Sequence, residues 1–217
     1  MNILIMGPAG SGKGTIAERI IEDYKVMHLS TGQILRDAIK NELPYGLIAK
    51  DYMDKGKLVP DDIVNKIVAD ALSQIDKNVG FLTDGYPRTL SQAIEFDKLV
   101  NSINREIDVV ISLEIEFDQL ITRITGRRLC KKCGKIYHVE ANPPKVSGVC
   151  DTCNIDLIQR ADDTKEQLEV RLEEHRSNTE PVLEHYKKQN KLEVVNAMGN
   201  RDQVYEQVIN ILEKYKW

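Results

Sequence analysis

The hydrophobic positions of this chain fall into two patterns, short continuous apolar runs and longer stretches with helical spacing. A short, fully apolar run is typical of a strand buried in a parallel sheet, and each run here precedes a helical stretch. The alternation predicts an α/β fold, with a five-stranded parallel sheet flanked by helices in three layers. The predicted strands lie at residues 2–6, 26–29, 80–83, 107–115 and 192–195.

The helical stretches are bounded by turn and capping residues. Gly56 ends one helix, acidic residues open the next at 61–62, and the segment 164–167 matches a capping box. We expect the helix that starts there to bend before residue 190. The predicted helices follow residue 15, include 34–39, and then lie at 45–55, from 60 onward, and at 89–101, 117–126, 164–190 and 202–215.

Two segments interrupt the alternation of strand and helix. Residues 30–59 are helical, whereas residues 127–163 contain four cysteines, the pair Pro143-Pro144 and several glycines but no long helical pattern. A length of 217 residues suits one domain of this class. We therefore expect a single domain, 1–217, that carries two insertions, at 30–59 and 127–163.

A glycine-rich segment, Gly7-Pro8-Ala9-Gly10-Ser11-Gly12-Lys13-Gly14-Thr15, joins the first predicted strand to the first helix. Glycines let successive backbone N–H groups face one anion, and the helix N-terminus adds partial positive charge. Lys13 is placed to reach the outer phosphates of a nucleotide. The hydroxyl residue comes one position later than usual, at Thr15. The segment predicts a site for a nucleoside triphosphate.

Composition narrows the choice of partners and compartment. The net charge is −4 and the pI about 5.7, which argues against nucleic acid as the main partner. No apolar run reaches the length of a membrane span or has the form of a signal peptide. We expect a soluble, cytoplasmic, monomeric protein whose cysteines are reduced or bound to metal.

Cys130-x2-Cys133 and Cys150-x2-Cys153 form two matched pairs separated by sixteen residues. This spacing is typical of a four-thiolate zinc site, in which the closed coordination sphere makes the metal structural. Two disulfides are the alternative, and they suit neither the expected compartment nor the phosphate loop. A zinc ribbon can also bind RNA, and lysines 131, 132 and 135 leave that open.

Asp84 ends the third predicted strand, where a carboxylate near the phosphate loop can hold Mg²⁺ through water. An Asx turn before Gly85 explains the same residue equally well. Arg88 and Gln92 share a helix face, as do Arg123 and Arg127. Together with Arg36, Arg160 and Arg171, these arginines indicate a site that neutralises phosphate charge on more than one molecule.

The chain resembles the adenylate kinases over nearly its whole length, in the long bacterial form with a zinc-bearing lid. The phosphate loop carries that family's Lys-Gly-Thr order, although the proline is shifted to Pro8 and Thr83 replaces an apolar residue. Further matches occur in order and spacing at 30–36, 58–60, 84–89, 123–128 and 159–163.

The resemblance implies reversible conversion of ATP and AMP to two ADP, with Mg²⁺ accompanying ATP. The implied fold is a P-loop kinase with a monophosphate-binding insertion at 30–59 and a lid at 127–163, both mobile. The implied ATP site comprises Gly10, Ser11, Gly12, Lys13, Gly14, Thr15, Arg123, Arg127, Ile136, Tyr137 and Gly199.

The implied AMP site comprises Thr31, Arg36, Lys57, Leu58, Val59, Gly85, Tyr86, Pro87, Arg88, Gln92, Arg160 and Arg171. The implied catalytic residues are Lys13, Asp84, Arg88, Arg123, Arg160 and Arg171. Two rivals stay open at this point. One is a kinase for UMP or CMP, and the other is a P-loop ATPase whose zinc knuckle binds RNA or protein.

Overall fold

The structure, a computed structural model, describes residues 1–215 of the chain. Residues 216 and 217, which the predicted domain 1–217 includes, lie outside the described residues. The strands are β1 (Ile3–Met6), β2 (Met27–Ser30), β3 (Phe81–Asp84), β4 (Val109–Glu114), β5 (Arg127–Cys130), β6 (Ile136–His138), β7 (Leu157–Ile158) and β8 (Leu192–Asn196).

The helices alternate with these strands. They are α1 (Lys13–Tyr24), α2 (Thr31–Lys40), α3 (Pro44–Asp54), α4 (Asp61–Ser73), α5 (Leu90–Ser102), α6 (Phe117–Thr125), α7 (Lys165–Glu174), α8 (Glu180–Lys188) and α9 (Arg201–Leu212). A π-helical turn, His175–Thr179, joins α7 to α8, and a 3₁₀ turn, Glu213–Tyr215, follows α9. Within residues 1–215, none of the helices is long and apolar enough to cross a membrane.

The central sheet confirms the predicted fold class. Its five strands are parallel and run in the order β2-β3-β1-β4-β8. Alternate residues of a strand point to opposite faces, so β1 contributes to two cores. Leu4 packs in a cluster with α4, α5 and α8, whereas Ile3 and Ile5 pack in a second cluster with α1 and α9. The result is the expected three-layer arrangement.

The segment 30–59 folds as two helices, α2 and α3, packed against each other. Gly46 lies so close to α2 that a Cβ at this position would stand 2.4 Å from the backbone carbonyl of Ala38. Leu35, Ala49 and Val59 belong to the same buried cluster as Leu4 of the central sheet. The apolar interior of this insertion is therefore continuous with that of the main body.

The segment 127–163 has no helix, as expected, but it contains an antiparallel sheet in the order β6-β5-β7 that the sequence pattern does not predict. Its strands are only two to four residues long, too short to show a period. The buried residues of its own small cluster are Cys130, Tyr137 and Cys150.

The predicted helix 164–190 is interrupted by the π-helical turn, which separates α7 from α8. Thr164 caps α7 by accepting a hydrogen bond from the Gln167 N–H at 3.2 Å. The Gln167 side chain does not complete the predicted capping box. It donates instead to the Asp54 carbonyl oxygen at 3.3 Å, and so joins α7 to the end of α3.

Candidate active site

The phosphate loop lies between β1 and α1 and requires glycine at two positions. Gly10 and Gly12 have φ angles of 87° and 97°, which side chains with a Cβ adopt at a cost. A Cβ on Gly10 would also stand 2.9 Å from the Ile124 side chain. The loop leads directly into the N-terminus of α1, where backbone N–H groups without a partner in the helix favour binding of an anion. Residues 10–15 line a large cavity of about 1240 Å³.

Lys13 begins α1 and turns its ammonium group back over the loop. Its Nζ donates to the carbonyl oxygens of Gly7 and Pro8 at 2.7 and 2.8 Å. Burial is the main cause that lowers the pKa of Lys13 to about 8, and the nearby Asp84 carboxylate opposes it. Bound phosphate would also favour the protonated form.

Asp84 ends β3, directly beside the loop. β3 pairs with β1, so Asp84 lies opposite Ile5, and a Cβ on Gly14 would stand 3.9 Å from the Asp84 Oδ2. The prediction that this carboxylate neighbours the loop is confirmed by the strand order. It is therefore placed to face a cation that accompanies the phosphates.

Arginines from five parts of the chain, which are α2, the segment after β3, α6, the lid and α7, converge on the same cavity. Burial lowers the pKa of Arg36, Arg160 and Arg171, and the positive charge of Arg127 is the next cause for each of them. The guanidinium groups therefore repel one another, and an anion with several charges would relieve that repulsion. The predicted basic residues that line this cavity are Lys13, Arg36, Arg88, Arg123, Arg127, Arg160 and Arg171.

Two carboxylates hold part of this arginine cluster in place. Arg127 forms an ion pair with Asp163, whose side chain is fully buried, and its Nε donates to the Asp163 Oδ2 at 2.9 Å. Arg171 forms an ion pair with Asp162. A buried ion pair fixes the geometry of both partners, since neither can be left unpaired without a large cost. Asp162 and Asp163 thus orient arginines that come from the lid and from α7.

Arg123 connects the loop to the turn after β8. One of its amino groups donates to the carbonyl oxygens of Ala197 and Gly199 at 2.9 and 3.2 Å, and the other donates to the Ser11 carbonyl oxygen at 3.4 Å. Gly199 lines the cavity, as do Ile136 and Tyr137 from the lid. All residues of the predicted ATP site therefore border one space.

A second cavity, of about 90 Å³, lies between α2, the segment after α3, and α5. Arg88, Arg171 and Gly85 border both cavities, so the two spaces adjoin. The predicted AMP residues that line the second cavity are Thr31, Arg36, Lys57, Leu58, Val59, Gly85, Arg88, Gln92 and Arg171. Pro87 and Arg160 line the first cavity instead.

Tyr86 is the predicted AMP residue that lines neither cavity. Its side chain is buried in the core, and its hydroxyl donates to the Asn65 Oδ1 at 2.8 Å. Gln92 is also buried, but at the wall of the second cavity. Its Oε1 accepts from the Arg88 N–H at 2.7 Å and its Nε2 donates to the Asp61 Oδ1 at 2.7 Å.

The four cysteines of the lid come together as the spacing predicts. Their Sγ atoms all lie within 4.8 Å of one another, and the Sγ atoms of Cys133 and Cys150 are 3.7 Å apart. All four are free thiols, so the disulfide alternative does not describe this structure. A tetrahedral site with metal–sulfur bonds of about 2.3 Å places its sulfurs roughly 3.8 Å apart. Cys130, Cys133, Cys150 and Cys153 therefore fit a single metal ion.

Several residues of the site carry no motif or spacing that marks them in the sequence. Thr179 donates from its Oγ1 to the Arg88 carbonyl oxygen at 3.0 Å, across 91 positions of sequence. His175, in the same π-helical turn, lines the first cavity, and burial lowers its pKa to about 4. Such contacts between distant positions leave no periodic signal. A π-helical turn is often found at functional sites, but its sequence carries no marker.

Comparisons with known proteins agree with this geometry. The adenylate kinase family model matches residues 5–191. The adenylate kinase of Carboxydothermus hydrogenoformans is 45% identical over 99% of this chain and 100% of its own length. That of a Geobacillus species is 46% identical over 98% of both chains, and that of Thermodesulfovibrio yellowstonii is 43% identical over 99% of this chain and 100% of its own. With this coverage, and with the phosphate loop facing a shared arginine cluster, the chain belongs to the adenylate kinase family.

Proposed function

We propose that this chain catalyses the reversible reaction ATP + AMP = 2 ADP in the two adjoining cavities. The observation that carries the proposal is that the Lys13 loop lines the first cavity, while Arg36, Arg88 and Arg171 line both cavities. A hydrolase needs a path for water to the terminal phosphate. A kinase whose acceptor is itself a phosphate needs positive side chains that face the phosphates of both substrates, and arginines line both cavities here.

The donor nucleotide is proposed to bind along the loop, with its phosphates over residues 10–15. Arg123 and Arg127 would contact the phosphates, and residues 136–137 with Gly199 would border the adenosine. The support is that all of these residues line the first cavity. The hydrogen bonds from Arg123 to the Gly199 and Ser11 carbonyl oxygens join the two ends of this site.

The acceptor, AMP, is proposed to occupy the second cavity. Arg36, Arg88 and Arg171 would contact its phosphate, and Thr31, the segment 57–59, Gly85 and Gln92 would border the nucleoside. Pro87 would lie on the side of the first cavity, and Tyr86 would support this wall from the core. The position of Gln92 beside Arg88 supports this orientation, since a base and a phosphate must be bound at the two ends of one molecule. Arg160 would reach the phosphates from the lid side.

The proposed catalysis consists of alignment and charge neutralisation, because the attacking atom is already a phosphate oxygen. Lys13, Arg88, Arg123, Arg160 and Arg171 would stabilise the negative charge that spreads over the transferring group. When bound with ATP, Mg²⁺ would supply further positive charge, and Asp84 is the residue placed to hold it through water. No side-chain nucleophile is required.

The metal of the lid is proposed to be Zn²⁺. The donor set supports this choice, because four cysteine thiolates in a tetrahedron match zinc and leave no open position for a substrate. The ion would then hold the shape of residues 127–163 and take no part in the chemistry.

We also propose that the two insertions close over the substrates and exclude water, which would otherwise waste ATP. Both insertions contribute residues to the cavity walls. A monomer is proposed because one chain supplies every residue named for both substrates. The free cysteines support a reducing compartment such as the cytoplasm.

An acceptor assay tests the proposal. With ATP and Mg²⁺, we expect AMP to outperform CMP, UMP and GMP, and we expect Lys13→Ala, Arg88→Ala and Arg123→Ala each to lower kcat roughly 10²-fold or more. Gln92→Ala should mainly raise the KM for AMP.

Arg19→Ala serves as the charge-matched control. Arg19 stacks over Tyr205 and pairs with Asp202, outside both cavities. The Arg19→Ala variant should therefore leave turnover nearly unchanged. Faster use of CMP or UMP would contradict the adenine assignment, and ATP hydrolysis that is independent of AMP would favour the ATPase.

A further inference from the structure

The Gln92 amide forms a hydrogen bond through its oxygen and another through its nitrogen, and the two partners fix the positions of these atoms. A backbone N–H, that of Arg88, donates to its Oε1, and a carboxylate, that of Asp61, accepts from its Nε2, each at 2.7 Å. A carboxylate can only accept and a backbone N–H can only donate. Turning the amide over would set two donors against each other at one end and two acceptors at the other. Only one orientation satisfies both contacts.

Asp61 is itself anchored on α5. Its second oxygen, Oδ2, accepts from the Thr89 hydroxyl at 2.7 Å, and the Thr89 Oγ1 in turn accepts from the Gln92 N–H at 3.1 Å. Asp61 begins α4, directly after the segment 57–59 that lines the second cavity. It lines neither cavity. The carboxylate therefore acts on a ligand through Gln92 and not by contact.

The orientation of the amide decides what a base would meet. After its contacts to Asp61 and Arg88, Gln92 retains one N–H and one lone pair at the wall of the second cavity. Adenine offers an amino donor beside a ring-nitrogen acceptor, whereas guanine offers a carbonyl acceptor beside an N–H donor. The two bases thus require opposite orientations of the amide. An amide that cannot turn over accepts one and leaves the other with unpaired polar groups, which is costly.

We propose that Asp61 is a positioning residue that sets base selectivity by locking the Gln92 amide in one orientation. The inference rests on the proposed function, which places the monophosphate in the second cavity. Removal of the lock should reduce discrimination between adenine and guanine, while the phosphoryl-transfer machinery stays in place.

The test compares Asp61→Ala with Asp62→Ala by measuring kcat and KM with AMP and with GMP. Asp62 is the matched control, because it is the next residue of the same first turn, carries the same charge and is exposed. For Asp61→Ala we expect the ratio of kcat/KM for AMP over GMP to fall roughly tenfold or more, the scale for one hydrogen bond to a charged group. The KM for AMP should rise, with kcat and the KM for ATP within twofold of wild type.

Asp61→Asn is nearly isosteric, but its amide can donate as well as accept and so no longer excludes the reversed Gln92 orientation. It should lower the selectivity in part, and it covers the case in which the alanine variant does not fold. A double-mutant cycle combines Asp61→Ala with Gln92→Ala. If Asp61 acts through Gln92, selectivity should fall no further in that background.

The outcomes separate the two proposals. The role of Asp61 is overturned if Asp61→Ala leaves the preference for AMP unchanged, or if Asp62→Ala reduces it equally. Either result leaves the proposed function intact. An equal further fall in the Gln92→Ala background also overturns the role of Asp61. A wild-type chain with no preference for AMP would overturn the proposed function, and the inference with it.

Discussion

The two insertions both border the first cavity but are held together by different forces. Residues 30–59 fold as two helices whose buried side chains, among them Leu35 and Ala49, join the cluster that contains Leu4 of the central sheet. Residues 127–163 fold as three short strands around Cys130, Tyr137 and Cys150, apart from the main cores. The helical insertion is stabilised by apolar burial, whereas the lid depends on the four cysteines.

The difference shows how a small segment can keep a defined shape without a large core. Burial of apolar area stabilises by about 25 cal/mol per Å², so a segment with few large apolar side chains gains little from it. Several of the larger apolar residues of the lid, such as Val139 and Val146, are exposed. A metal ion held by the four cysteines would replace the missing burial, as in other small metal-bound folds. The two insertions should therefore respond to different perturbations.

Metal removal should give the largest effect and should act on the lid alone. A chelator, or Cys130→Ser, removes a contribution that amounts to about 10–16 kcal/mol in isolated zinc-finger peptides, although only part of it would reach global stability here. We expect a lower Tm and faster proteolysis within 127–163, with residues 30–59 still protected. Activity at low temperature should survive in part, since an ion held by four thiolates would have no open position for a substrate.

Val146→Ala, an exposed change in the same segment, is the control and should leave both readouts unchanged. If metal-free protein kept its Tm, and its lid remained protected from proteolysis, the proposed difference between the two insertions would be wrong. Complete loss of turnover in a lid that is still folded would instead indicate a catalytic metal.

Gly46→Ala should perturb the helical insertion and leave the lid intact. The new Cβ would stand 2.4 Å from the Ala38 carbonyl group, so α2 and α3 must move apart. Overpacking of this kind costs about 1–3 kcal/mol, which exceeds the gain in helix propensity. Thermal unfolding should show a lower Tm, and kinetics a higher KM for AMP at an unchanged KM for ATP.

Leu47→Ala on the same helix is the control, because Leu47 is exposed. It should alter neither Tm nor the KM for AMP. An equal rise in the KM for both nucleotides after Gly46→Ala would mean that the insertions do not act separately.

A pH series gives the smallest predicted effect, and it distinguishes the ATP side from the AMP side. The pKa of Lys13 is lowered to about 8, so the free protein loses the Lys13 proton as pH rises through 8, whereas the arginines stay charged there. If phosphate binds only the protonated lysine, the KM for ATP should rise about tenfold between pH 7 and pH 9. The KM for AMP should change less.

Lys13→Arg, which stays charged, should flatten this profile even where turnover is low. Parallel profiles for the two substrates would contradict the assignment of Lys13 to the ATP side.

The central sheet could be predicted from the sequence because strands buried on both faces are continuous apolar runs, as in β4. The phosphate loop and the cysteine pairs could be predicted because their chemistry depends on close spacing along the chain. The capping box at 164–167 was half wrong, since Gln167 has a tertiary partner, Asp54, that competes for its amide. The lid strands were missed because pairing around the cysteines, and not periodicity, defines them.

The partners of the site residues could not be predicted. Arg127 and Asp163 are 36 positions apart, and Gln92 and Asp61 are 31 apart, with no local pattern that joins them. Tyr86 shows that a correctly matched motif does not predict where a side chain lies. Its motif matches the family, yet only the structure shows that the side chain enters the core while its neighbours, Gly85 and Arg88, border the cavities.

Tyr137 connects the cysteine cluster of the lid to the wall of the first cavity. Its hydroxyl lies 3.5 Å from the Cys150 Sγ and accepts from the Asp151 N–H at 3.0 Å, and the adjacent Ile136 side chain would stand 3.5 Å from a Cβ on Gly14 in the phosphate loop. Oxidation of a cysteine converts a metal ligand into a group that no longer binds the ion. Damage to one thiol would therefore reach the wall of the ATP cavity through two adjacent residues, while the sheet and the helical insertion remained folded.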